Sequence, residues 1–213
     1  MRKSIILALA AAALTLTSCD DFLDRDPRDT FTEGKSFWSN ENAVESYTNR
    51  FYTNFVGYSQ GGGYGWFYFK SLGDDQATST LDDWTYKTIP NTASNYNDWF
   101  TEARRANYVI QNVPSSSLKE ASKTKYVAIA RLARAWDYYM LVRMYGDVEW
   151  IDYVITDPED EKIWGERDNR DVVMDKVLED LDYAIENLGA SSDKTLWSKN
   201  MALLLYTADA AAD

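Results

Sequence analysis

An all-α fold of antiparallel helix pairs, interrupted by one long aromatic insertion, follows from three features of the sequence. Trp99, Ala103, Ala106, Ile110 and Val113 recur at steps of four, three, four and three residues, which is the period of a single helical stripe, and Pro114 stops it. From Ser117 to Gly146 the chain carries two such stripes, so that helix is predicted to be buried between neighbours. The interval from Gly57 to Asp98 lacks this period and is rich in Gly, Asn, Thr, Ser and aromatic rings.

The first element is an address. Arg2 and Lys3 precede an apolar run from Ile5 to Leu16, the layout of a secretory signal too short for a comfortable bilayer span. Leu16-Thr17-Ser18-Cys19 resembles the bacterial lipobox, in which cleavage exposes a cysteine for acylation. The alternative is an ordinary signal peptide followed by a free thiol. The only cysteine of the chain stands where lipidation needs it, which favours the anchor, and several acyl chains hold a protein to a membrane where one would let go. Asp20, Asp21 and Asp24 resemble the acidic signal that sends lipoproteins to the cell surface, although an Asp after the cysteine also accompanies inner-membrane retention. The expected organisation is a signal peptide over 1–18, a lipidated tether over 19–35 and a helical domain over 36–213.

Within that domain, Ser39 is expected to cap a helix carrying Val44, Tyr47, Phe51 and Phe55, ended by Gly57 and the Gly61-Gly62-Gly63 run. After the 99–113 helix, Ser117 and Glu120 have capping-box spacing. The long helix then shows Tyr126, Ile129, Ala133, Trp136, Met140 and Met144 on one face, with Leu132, Ala135, Tyr139 and Val142 on another. A third helix starts near Asp168, follows Met174, Val177, Leu181, Ala184 and Leu188, and meets Gly189; a fourth begins around Trp197 and passes Met201, Leu204 and Ala208. These pair as the repeat units of TPR-like α-solenoids do, without the strict TPR residue pattern. Two pairs are few for an independent stack, so the sequence reads as the N-terminal part of a longer protein, incomplete at its C-terminus.

Composition excludes several classes of function. There is no histidine, hence no Ser-His-Asp or Cys-His unit and no imidazole metal ligand. With 22 Lys plus Arg against 34 Asp plus Glu, the formal charge of −12 opposes a nucleic-acid partner. A glycosidase needs only two carboxylates, but no pair here is marked by spacing or setting. The cations Arg104, Arg105, Arg131, Arg134 and Arg143 are expected on solvated faces or in ion pairs between helices, and Asp157 to Glu161 in an exposed loop.

Candidate ligand contacts concentrate in the insertion. Tyr64, Trp66, Trp84 and Tyr86 offer flat rings on which sugar C–H patches stack, while Asp74, Asp75 and Asn91 offer hydrogen-bonding groups for hydroxyls. A stacked ring that removes on the order of 50 Å² from water contributes roughly 1 kcal/mol. Two or three such platforms give about micromolar to millimolar affinity, sufficient for capture. The alternatives stay open: Trp66 to Phe69 as a buried strand, Asp74 and Asp75 as a turn or a Ca²⁺ ligand pair, and the rings as a protein interface. Trp99, Trp136 and Tyr139 belong to the core on this reading, and no cofactor is required.

Several segments together resemble the SusD/RagB family of outer-membrane nutrient-binding lipoproteins: CDDFLDRDP after the lipobox, SFWSNENAVESYTNRFY, WFTEARRANYVIQNV, YVAIARLARAWDYYMLVRMYGDVEWI and DVVMDKVLEDLDYAIENL. The resemblance runs through nearly the whole chain in family order. Glu149 departs from it, standing where the family commonly has Pro, and TLWSKNMALLLYTADAAAD is a weakened version of the family's next helix. The resemblance implies a TPR-like scaffold at the cell surface that binds oligosaccharides, or in some members peptides, without cleaving them. It also implies a partner, a SusC-type TonB-dependent transporter. A TPR-like protein-interaction scaffold without glycan binding is the competing reading.

Overall fold

The computed structural model describes residues 34–54, 94–192 and 196–210. The predicted signal peptide, Cys19, Phe55 and most of the aromatic insertion lie outside these residues. Seven helices are described: α1 Lys35–Trp38, α2 Glu41–Asn49, α3 Ser94–Asn112, α4 Glu120–Tyr145, α5 Glu161–Trp164, α6 Arg170–Asn187 and α7 Lys199–Ala210. Two 3₁₀ turns, Arg50–Asn54 and Val113–Ser115, extend α2 and α3. Among the described residues there is no β-strand, only an isolated antiparallel bridge between Val148 and Asp168.

The long helix α4 is central, with α3, α6 and α2 packed around it, while α7 packs on α6. Of these, α3 and α6 run antiparallel to it, whereas α2 runs parallel, Glu41 meeting Ser122 and Asn54 meeting Asp137. Tyr96 meets Tyr145, Phe100 meets Tyr138 and Asn107 meets Arg134, so numbers rise along α3 as they fall along α4. On the other side Arg131 faces Tyr183 and Arg134 faces Asp180, giving α6 the same sense. Burial matches the expected stripes at Ala103, Ala106 and Val113, at Tyr126, Ile129, Leu132, Ala133 and Ala135, and at Val177, Leu181, Ala184 and Leu188. Trp99, Trp136 and Tyr139 pack against this core as partly buried residues. Met144 is exposed instead.

Two boundaries differ from the sequence reading. Asn40, not Ser39, caps α2, its Oδ1 accepting from Asn42 and Ala43 at 3.1 and 3.3 Å; Ser39 Oγ instead accepts from the Ser117 N–H. The Ser117–Glu120 box does not form: Glu120 is the first residue of α4 and takes Lys123 Nζ at 2.8 Å. α6 starts near Asp168 as expected, with Asn169 as its cap and Asp168 engaged in the preceding loop. Trp197 precedes α7, its N–H donating to Tyr52 Oη at 3.1 Å and its ring lying against Tyr52. Gly146 ends α4 as expected, at φ 73°, a conformation that favours glycine, with its N–H on the Val142 carbonyl.

Two carboxylates are buried in α4 and α6. Asp180 is paired, as described below. Asp137 is fully enclosed, receives one hydrogen bond from Asn54 Nδ2 at 3.0 Å, and its Oδ2 has no hydrogen-bond partner among the described residues. Burial, reinforced by the nearby Glu102 carboxylate, raises its pKa well above the usual carboxylate range against the opposing influence of Asn54 and Arg105. The native state therefore holds a proton that the unfolded chain releases, and stability falls as pH rises from about 4 towards the raised value. Asp137→Asn keeps the Oδ1 acceptor and is expected to remove this loss. Urea midpoints at acid and at neutral pH should differ less for the variant than for the parent; identical pH dependence would contradict a protonated Asp137.

Candidate functional site

The connection from Gly146 to Asn169 contains only the short α5, yet it is tied down at many points. Asn107 on α3 donates its Nδ2 to the carbonyls of Ile151 and Tyr153 at 2.8 and 3.1 Å. Tyr138 Oη on α4 accepts from the Ile151 N–H at 2.8 Å. Arg134 reaches the Asp152 carbonyl at 3.4 Å, and its guanidinium lies 5.0 Å from the Trp150 ring centroid. Asp168 Oδ2 accepts from the Trp150 N–H at 2.8 Å and from Lys162 Nζ at 2.9 Å, and Lys162 holds its carboxyl below the usual range. Burying backbone in a non-helical segment requires these partners, and Asn107 and Arg134 supply them from within helices.

A cavity of about 300 Å³ opens between this connection and α3. Such a volume holds one or two sugar rings. Tyr96 and Phe100 from α3 and Tyr138 from α4 form its aromatic wall, and Ile151, Tyr153, Ile155 and Ile163 line the connection side. Polar groups converge on the same space: Arg104, Asn107, Glu149 and Lys162. Asn107 is saturated by the bonds above and by Arg134, so it is wall rather than ligand contact. Glu149 accepts from Tyr96 Oη at 2.5 Å, with Arg167 4.0 Å away on its other oxygen and over the Tyr96 ring. Burial and the Glu149 bond push the Tyr96 hydroxyl up to about 12, so it stays a donor across the physiological range. Tyr153 Oη, beside the mouth, donates to Asp160 at 2.7 Å, and the neighbouring Trp164 is 74% exposed.

An apolar cleft with ring faces and a few fixed acceptors and donors is suited to a hydroxyl-rich ligand that carries C–H patches. Glu149 is the one carboxylate among the described residues lining the cavity. Among the described residues no cluster of carboxylates or thiols could hold a metal ion.

Tyr64, Trp66, Asp74, Asp75, Trp84, Tyr86 and Asn91, the ligand contacts expected from the sequence, all lie outside the described residues. The described site is built from others. Tyr96, placed by the sequence reading in the irregular insertion, is in the first turn of α3. Glu149, Ile151, Tyr153 and Lys162 were not singled out as contacts. A signal for them existed: Asn107 and Arg134 interrupt helical stripes that are otherwise apolar, and a buried amide or guanidinium implies a non-helical backbone segment against it.

The family model described as "Starch-binding associating with outer membrane" matches residues 21–206. The chain belongs to the SusD-like family. A SusD-like protein of Bacteroides ovatus is 28% identical over 97% of this chain and 39% of its own length. Two solved Bacteroides fragilis structures share the fold. One, a SusD-like protein, gives a TM-score of 0.60 at 23% identity over 86% of this chain and 37% of its own. The other, a SusD-like carbohydrate-binding protein, gives 0.56 at 19% identity over 74% and 33%. The chain thus spans under two-fifths of the length of these SusD-like relatives.

Proposed function

We propose that this chain is the glycan-binding part of a cell-surface lipoprotein that passes oligosaccharide to a SusC-type TonB-dependent transporter of the outer membrane, without cleaving it. The cavity between α3 and the 146–169 connection carries the reading: rings on two sides and a single lining carboxylate, in a member of a family described as starch-binding. Tyr96 and Phe100 provide stacking surface, Glu149 accepts from sugar hydroxyls, and Lys162 and Arg104 donate to them. The rings of the insertion, Trp84 and Tyr86 among them, together with Tyr64, Trp66, Asp74, Asp75 and Asn91, are proposed to add contacts.

Isothermal calorimetry with a panel of oligosaccharides tests the binding. Tyr153→Ala and Glu149→Gln are each expected to weaken binding about fivefold, which is about 1 kcal/mol. If no glycan binds while a transporter copurifies with the protein, the interaction-scaffold reading replaces this one.

Cys19 is proposed to carry the lipid that holds the protein at the outer membrane, on the cell-surface side. Cys19→Ala should yield an unlipidated protein that leaves the membrane fraction on washing; its persistence there would contradict the anchor.

A further inference from the structure

A second cavity, of about 760 Å³, lies between α2 and α3, and Arg104 lines both it and the aromatic cavity. Three guanidinium groups surround it: Arg50 from the turn after α2, and Arg104 and Arg105 from α3. Among the described residues, one acid stands with them. Glu102 is paired with Arg105 and lies 4.0 Å from Arg50, so the three cations outnumber their local counter-charge. Arg104 makes no ion pair among the described residues; it donates to Tyr108 Oη at 3.3 Å. Arg50 and Arg104 are both exposed, and Ser46 and Thr101 bring hydroxyls to the same groove.

A local excess of positive charge in a chain of net charge −12 calls for an explanation. Remote acids are screened beyond about 8 Å at physiological ionic strength, so a ligand inside the groove experiences the arginines and not the distant surface. Guanidinium groups pair with carboxylates and sulfates through two parallel charge-assisted donors, roughly twice as strong as hydrogen bonds between neutral groups. We propose that the glycan is acidic: a neutral stretch stacks on the Tyr96–Phe100 wall, and a carboxylate- or sulfate-bearing unit next along the chain passes Arg104 and lies between Arg50 and Arg104. This rests on the glycan-binding reading above and adds the substrate class to it.

The test compares matched ligands by calorimetry on the full chain: oligogalacturonides, alginate and chondroitin oligosaccharides, each against its carboxyl-reduced counterpart (desulfated as well for chondroitin). At least one acidic member should bind tenfold or more tightly than its neutral match. That advantage should shrink as salt rises, and fall about three- to tenfold in Arg50→Gln and in Arg104→Gln. Arg50→Gln should leave neutral-glycan affinity unchanged. Equal affinity within every pair, or an advantage indifferent to both substitutions, overturns the acidic-ligand inference while leaving glycan binding intact. Failure of both acidic and neutral glycans to bind overturns glycan binding itself. Binding of anionic lipid vesicles in an arginine-dependent manner, with no glycan preference, would assign the groove to a membrane surface and overturn the inference.

Discussion

A single buried guanidinium organises the described structure. Arg134 is 4% exposed in the middle of the central helix, and it binds both oxygens of Asp180 on α6 at 2.7 and 2.8 Å and Oδ1 of Asn107 on α3 at 2.8 Å. Arg131 adds a second, more distant charge to Asp180 at 3.7 Å. Burial raises the Asp180 carboxyl, and Arg134 foremost opposes that rise. Removing one member of such a set leaves an uncompensated buried charge, a cost of about 3–5 kcal/mol, whereas replacing the whole set by apolar residues can cost little. The set therefore contributes less to raw stability than to choice of arrangement: it fixes the register of α3, α4 and α6 together.

That register is passed outward to the binding surface. Asn107, held by Arg134 through its oxygen, uses its nitrogen to hold two carbonyls of the 146–169 connection. Tyr138, one turn after Arg134, holds Ile151 through its hydroxyl and presents its ring to the cavity. A helix bundle normally offers a ligand only convex surface between its ridges; here a pinned irregular segment stands against α3 and makes the surface concave. The cavity walls are thus as rigid as the buried network behind them, which limits the ordering entropy lost when a flexible oligosaccharide binds.

The helices were legible because burial imposes a period on apolar residues, and Val177, Leu181 and Ala184 or Ala103 and Ala106 could be read directly. Caps were less so. Ser39 is a competent cap in isolation, yet its hydroxyl accepts from the Ser117 N–H while Asn40 next door caps α2. In the sequence Arg134 is one of several cations expected on solvated faces or in ion pairs between helices, and nothing local marks which of them is buried. The site was least legible, because its contacts come from α3, α4 and a connection with no period of its own, brought together by Asn107 and Arg134 across long stretches of chain. Tyr96, Glu149 and Tyr153 carry no local pattern that marks them as neighbours.

The account stands or falls on whether ligand occupies the space between α3 and the pinned connection. Amide hydrogen exchange, followed residue by residue with and without a saturating oligosaccharide identified by calorimetry, addresses this directly. Slower exchange in Glu149–Ile155 and the first turns of α3 is the predicted result. Unchanged exchange there, with protection elsewhere in the described helices, would contradict it.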